Sequence, residues 1–211
     1  MEKQWKDASH IVQGRLIVGI DEAGRGCLAG PVYAAACVGS PTLLGAEAGI
    51  DDSKALSPKR REAAMQTLRK QCVFAVGTAS AREIERMNVR NAAELAMLRA
   101  FARLAPLLPG NGEGALILVD GNHAPNFGVA CETAVKGDAT HACIAAASII
   151  AKTARDAYMR MAATAYPHYG WEKNAGYSVK AHKEALARRG PSPFHRATYA
   201  PVAAAIKGQA T

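Results

Sequence analysis

Four carboxylates carried on three separate segments define the chemistry open to this 211-residue chain. Asp21 and Glu22 follow the apolar run at residues 15–20, Asp120 ends the run at 115–119, and Asp138 follows Lys136-Gly137. A carboxylate at the end of a buried strand is costly unless it is solvated or coordinated. Three such places converging would supply hard oxygen donors of the kind that Mg²⁺ and Mn²⁺ select. Neighbouring side chains of a regular strand point to opposite faces. For Asp21 and Glu22 to serve one site the strand must turn irregular there, and Gly24 and Gly26 permit that. No serine, cysteine or histidine motif for covalent catalysis accompanies the acids. Convergent carboxylates of this kind point to two-metal phosphodiester hydrolysis. One ion activates and orients a water, and a second, roughly 3.5–4 Å away, stabilises the leaving oxygen.

Residues 24–29 also carry the Gly-x-Gly-x-x-Ala spacing of a dinucleotide-binding turn. Two features exclude that use. Asp21 and Glu22 stand where a pyrophosphate would approach, and Gly30 is followed by Pro31 and another strand, whereas the phosphate needs a helix N-terminus. His141 and Cys143 form the one close His/Cys pair, which without a second pair is weak evidence for zinc.

A centre built from anionic ligands needs positive charge elsewhere to hold a polyanionic substrate. The chain has a formal net charge of +8, with 26 basic and 18 acidic residues. Residues 1–150 carry a net of +1 and residues 151–211 a net of +7. The basic last third is therefore a candidate nucleic-acid grip. With 49% hydrophobic and 21% charged residues the chain can bury a core. It shows no signal peptide, and its longest apolar run, 142–151, is too short for a bilayer. Five dispersed cysteines read as reduced thiols, so a cytoplasmic protein without membrane contact is expected. No heptad or exposed apolar helix demands an oligomer, and a monomer is the default.

The elements that must position these residues follow from periodicity. Strands are expected at 15–20, 31–38, 72–78 and 115–119, with a weaker fifth around 129–135. Ser57 caps a helix over 59–70, with Pro58 at its first position. A second helix covers 89–104. A third, long and Ala-rich, covers 140–163, with Ile144, Ser148, Ala151 and Arg155 on one stripe. Three early strands in meander order, followed by strands alternating with helices, make an α/β domain with a mixed five-stranded sheet. That domain spans 14–165, and the basic, proline-punctuated residues 166–211 form a helical extension packed on it.

The motifs in order resemble ribonuclease HII. They are Asp21-Glu22-Ala23-Gly24-Arg25-Gly26, Leu28-Ala29-Gly30-Pro31-Val32, Asp52-Ser53-Lys54 with Leu56-Ser57, Asp120-Gly121, Lys136-Gly137-Asp138, and Ala146 to Lys152 with Arg155-Asp156. Gly176-Tyr177, His182, and His195-Arg196 with Pro201-Val202 continue the likeness, which covers residues 14–203. The resemblance implies a ribonuclease H-like fold. It implies an endonuclease that cuts the RNA strand of RNA–DNA hybrids and nicks duplex DNA 5′ to an embedded ribonucleotide, leaving 5′-phosphate and 3′-hydroxyl ends. Asp21, Glu22, Asp120 and Asp138 would be the catalytic ligands of two Mn²⁺ or Mg²⁺ ions. Gly24, Arg25 and Gly26 would contact the ribonucleotide's 2′-hydroxyl through the backbone, and Tyr177 would sense the ribo-to-deoxyribo junction. Lys54, Lys152 and Arg196 would be phosphate contacts. Cys27 stands where the family pattern has proline, which is expected to loosen the loop and bring a thiol near the metals. Ser178-Val179 and Ala197 also depart from the pattern. The sister ribonuclease HIII, with its extra N-terminal domain and different glycine loop, fits less well. A non-catalytic nucleic-acid-binding protein on the same fold is disfavoured by the intact set of acids.

Overall fold

The computed structural model describes residues 4–45, 49–50 and 56–209. Its sheet is built from β1 (Ile17–Ala23), β2 (Val32–Val38), β3 (Phe74–Ala79), β4 (Leu116–Asp120) and β5 (Ala130–Ala134), in spatial order β3-β2-β1-β4-β5. The meander β1-β2-β3 is antiparallel, and β4 and β5 lie parallel to β1. The mixed five-stranded sheet expected from the pattern is therefore present.

Alternation along the strands sorts the sheet into two faces. Ile17, Ala35, Cys37, Leu116 and Leu118 pack on one side, against α5 (Ala142–Ala165) and α2 (Pro58–Gln71). Val18, Ile20, Ala34, Ile117 and Val119 pack on the other, against α3 (Ala81–Leu104). Gly19 lets α5 lie directly on β1, since a Cβ there would fall 2.2 Å from the Cys143 carbonyl carbon. Among the described residues, no helix is long and apolar enough to cross a membrane.

The helix boundaries follow local capping chemistry. Ser57 Oγ accepts from the Arg60 N–H at 3.3 Å, and Pro58 opens α2 as expected. α3 begins eight residues before the expected 89, at a capping box between Ser80 and Glu83, and breaks at Asn88 (φ 68°, ψ 165°). Its second section starts where the apolar periodicity had placed the whole helix. The Ala-rich helix expected from 140 is interrupted: the short α4 (Gly137–Thr140) ends at His141, whose backbone is extended, and α5 starts at Ala142. The α5 amides of Ala142 and Cys143 donate to buried Asp7, at 2.9 and 3.0 Å. That N-terminal aspartate, just before the short α1 (Ala8–Val12), is a cap supplied from 135 residues away.

Beyond α5 the chain forms α6 (Trp171–Asn174), α7 (Lys180–Arg189) and α8 (Ala200–Gln209). Trp171, Tyr169 and Ala185 share a cluster with Met159 and Ala162 of α5 and with Ala29. The C-terminal helices are thus fastened to the loop that follows β1.

Candidate active site

Register places two of the acids. Ile20 pairs with Val119 across the parallel β1–β4 ladder, so Asp21 and Asp120 are the next residues on adjoining strands. This is the carboxyl end of the two central strands, the position where open α/β sheets hold ligands. Asp120 Oδ1 accepts the Gly137 N–H at 2.7 Å, tying the start of α4 to the end of β4 and delivering Asp138. One oxygen from each of Asp21, Asp120 and Asp138 lies within 4.8 Å of the others.

Electrostatics show how strongly the acids oppose one another. Asp21 is buried, and burial pushes its carboxyl well above the usual range; the charges of Glu22 and Asp120 push it further. Ser148 of α5 and the Glu22 N–H, which donates to Asp21 Oδ1 at 2.7 Å, only partly offset this. Neighbouring carboxylates cannot all ionise cheaply without a cation. Three oxygen donors on strand and helix ends fit a hard divalent ion.

Glu22 behaves differently from the expectation that the strand would turn irregular. β1 stays regular through Ala23, with Asp21 opposite Ala35 and Glu22 opposite Ala34. Asp21 therefore faces α5 and Glu22 faces α3, and the three-carboxylate cluster does not include Glu22. Glu22 still joins Asp120 in lining one groove and feels its charge, because both stand at the strand ends. Burial raises the Glu22 carboxyl, and the Arg25 guanidinium, with Nη1 3.1 Å from Oε1, opposes the rise.

Gly24-Arg25-Gly26 is shaped from below by two buried arginines. Arg196 donates from Nη2 to the Gly24 carbonyl (2.7 Å), from Nη1 to that of Arg25 (2.7 Å) and from Nε to that of Gly30 (3.0 Å). Arg155 donates from Nε to Pro31 (3.0 Å), from Nη2 to Ala29 (3.1 Å) and from Nη1 to Ala175 (2.8 Å). Gly24 has φ 96°, and a Cβ there would sit 1.9 Å from Arg155 Nε. Arg25 and Gly26 are exposed. The expected phosphate contact at Arg196 is corrected by this geometry: its guanidinium is fully buried and occupied by carbonyls.

Tyr177 lies beside that loop. The Leu28 N–H donates to the Gly176 carbonyl at 2.8 Å, and the Tyr177 ring lies 5.1 Å from Lys152 Nζ and 5.7 Å from Arg155 Cζ. Its backbone is fixed by buried His182. Trp171 Nε1–H donates to His182 Nε2 (3.1 Å), leaving His182 Nδ1–H to donate to the Tyr177 carbonyl (2.9 Å). His195 Nε2–H donates to the same His182 nitrogen (3.0 Å), while the Ser192 N–H donates to His195 Nδ1 (3.0 Å). Burial holds both histidines neutral, pulling His195 down to about 4.

Cys27 is buried beneath Tyr177, with a hydrogen bond between its thiol and the phenol, and burial raises that thiol. The positive charges of Arg155, Arg196 and Lys152 oppose that rise. Lys152 Nζ is paired with Asp156 at 2.6 Å. Lys54 lies outside the described residues. Ser148 and Arg155 are the contributors that the residue pattern signalled only as members of a helical stripe. A polar and a charged residue recurring on an apolar stripe was the available sign that both point at something.

The comparisons with known proteins agree with this geometry. The family model described as ribonuclease HII matches residues 18–202. The ribonuclease HII of Sphingopyxis alaskensis is 49% identical over 91% of this chain and 92% of its own. The crystal structure of ribonuclease H2 from Pyrococcus horikoshii superposes with a TM-score of 0.72 at 25% identity, covering 91% of this chain and 97% of that one. Bst-RNase HIII in complex with Mn²⁺ has a TM-score of 0.76 at 20% identity, covering 97% of this chain and 73% of that one, a likeness of fold alone. Together with the ordered motifs, these matches establish that the chain belongs to the ribonuclease HII family.

Proposed function

We propose that this ribonuclease HII family member is a metal-dependent endonuclease that cleaves the RNA strand of RNA–DNA hybrids. It also nicks duplex DNA 5′ to an embedded ribonucleotide, leaving 5′-phosphate and 3′-hydroxyl ends. The observation that carries the reading is the meeting of Asp21, Asp120 and Asp138 within 4.8 Å at adjoining strand ends. Asp21, Asp120 and Asp138, with Glu22 from the groove side, would hold two divalent ions, Mg²⁺ or Mn²⁺. Such ions, when bound, supply an activated water and stabilise the charge developing on the leaving oxygen. The Mn²⁺ complex of the similarly folded Bst-RNase HIII supports divalent-metal use.

The chain's own residues orient the substrate. With the carbonyls of Gly24, Arg25 and Gly30 turned onto Arg196, the exposed backbone edge at Arg25-Gly26 is left to meet a ligand. The 2′-hydroxyl is the group that tells RNA from DNA at a site, and a rigid backbone edge reads it without depending on base identity. Tyr177, set against the loop by His182, would pack on the sugar beyond the ribonucleotide and sense the junction. Ser148 and the Glu22 amide hold Asp21 in place.

The test is a duplex DNA carrying one ribonucleotide, incubated with Mg²⁺ or Mn²⁺ and then with EDTA. A nick 5′ to the ribonucleotide that needs the metal is expected. Binding without any metal-dependent nick would leave a non-catalytic nucleic-acid-binding protein instead.

A further inference from the structure

We propose that the groove beside the carboxylate centre binds a second phosphodiester of the substrate, next to the one being cut, through Arg90 and His123; this rests on the nuclease reading above. The groove encloses about 310 Å³. It is lined by Glu22 and Asp120 from the strand ends, by Arg90 and Glu94 of α3, and by Asn122 and His123 just past β4. Connectivity places Asn122 and His123 beside Asp120, since they follow it by two and three residues, and the packing of α3 on the sheet brings up Arg90 and Glu94.

Arg90 is aimed by the break in α3. Asn88 adopts φ 68° and ψ 165°, a conformation that non-glycine residues rarely take. Its Oδ1 accepts from the amides of Arg90 (2.9 Å) and Asn91 (3.1 Å), which offsets the strain and consumes the donors of the new helix end. What remains to meet a ligand is therefore the Arg90 side chain and not the helix terminus.

Both side chains lean on a single oxygen. His123 Nε2 is 2.8 Å and Arg90 Nε 3.5 Å from Glu94 Oε1. Oε1 is enclosed yet has no aligned hydrogen bond among the described residues. The Arg90 side chain is 60% exposed and that of His123 48%. One carboxylate oxygen shared by a guanidinium and an imidazole without an aligned hydrogen bond is a weak tether, and the guanidinium fork stays open to solvent. A phosphate offers the oxygens that such a fork pairs with. The same groove is lined by the proposed metal ligands Glu22 and Asp120, so a strand seated on them would carry its neighbouring phosphate past Arg90 and His123.

The experiment compares the parent chain with Arg90→Ala, His123→Ala and the double variant, using duplex DNA with one ribonucleotide at several salt concentrations and fixed Mg²⁺. Both residues are exposed, and thermal melts check that the variants fold. The expected result for the double variant is a KM raised about 3- to 10-fold, a turnover at saturation reduced less than twofold, and a log–log salt slope shallower by about 1 per lost phosphate contact. Glu94→Gln, which weakens the tether and removes a negative charge, should lower KM. An unchanged KM and salt slope overturns the proposal. So does an unchanged KM with an altered Mg²⁺ dependence, which would place the pair at the metal cluster. If the parent chain does not cut, the nuclease reading fails first. Anisotropy titration of the same duplex with parent and double variant then still decides whether the groove binds phosphate.

Discussion

The carboxylate centre and the arginine-stitched loop lie side by side, yet they treat buried charge in opposite ways. At the centre, Asp21, Asp120 and Asp138 crowd together, and burial and mutual repulsion raise Asp21 above its usual range. Beneath the loop, Arg155 and Arg196 are equally buried, yet their donors are taken up by backbone carbonyls. The loop's buried charges are satisfied by the protein itself, whereas those of the centre would be balanced by the cations proposed above. On the proposed reading, affinity for metal would be built from an instability, and precision of substrate placement from a satisfied network. The two regions should therefore respond to mutation with opposite signs of stability change.

The largest expected effect comes from breaking the centre. Asp21→Asn or Asp138→Asn would remove one of the proposed anionic ligands, and cleavage should fall by roughly 10³-fold or more, equivalent to about 4 kcal/mol of transition-state stabilisation. Without metal, Asp21→Asn should melt at or above the parent temperature, because a buried like-charge contact is relieved. Near-normal cleavage at saturating metal would remove that residue from the ligand set. Arg196 supplies the contrast. Arg196→Lys keeps the charge but loses the fork, stranding carbonyls of Gly24, Arg25 or Gly30. Each stranded acceptor costs about 1–3 kcal/mol, so denaturant unfolding should show a clear loss of stability. Cleavage at a single ribonucleotide should fall with it. An unchanged unfolding midpoint would mean that the loop does not depend on the guanidinium.

The comparison also explains what could be read before the fold was known. The strand ends carrying Asp21 and Asp120 were legible because an apolar run stopping at an acid marks both burial and its end. Asp138 was legible by its turn context, and its approach to Asp120 depends on the Gly137 amide, a contact across 17 residues. Glu22 was expected beside Asp21 through an irregular strand end, but the strand stays regular and Glu22 lines the groove from the α3 face. Arg155 and Arg196 were underrated because an isolated arginine usually lies in solvent. Only the folded backbone shows that the carbonyls around Gly24–Pro31 turn inward onto them. Asp7 was invisible for the same reason: its partner helix starts 135 residues later.

A smaller effect separates the two regions by pH. His195 is buried and neutral, with its pKa lowered to about 4, whereas an unfolded histidine titrates near 6.5. Below pH 6.5 the unfolded chain takes up a proton that the folded chain refuses, so this contribution is complete above 6.5 and is lost as pH falls toward 4. The loss should approach about 3 kcal/mol, on top of the titration of other groups. His182, also lowered, adds in the same direction. Unfolding midpoints measured between pH 7 and 4 should fall, and His195→Gln should flatten the part of that fall due to this ring. An equal slope in parent and variant would show that the histidine pair does not govern the acid stability of the C-terminal helices.

The smallest effect tests how far the satisfied network reaches into recognition. Tyr177 is 38% exposed, so its ring is available to a substrate while its hydroxyl is tied to Cys27. Tyr177→Phe keeps the ring and leaves the His182 bond to the backbone carbonyl intact, since that bond does not involve the side chain. Removing the hydroxyl costs about one hydrogen bond, so cleavage at a single ribonucleotide should drop roughly 3- to 10-fold, while stability changes by less than about 1 kcal/mol. Cleavage of a long RNA–DNA hybrid, which presents no junction at most sites, should drop less. Equal losses on both substrates would assign the hydroxyl to general placement of the loop. No loss on either would make Tyr177 a packing residue over Cys27, and the junction would then be read by the Gly24-Arg25-Gly26 backbone alone.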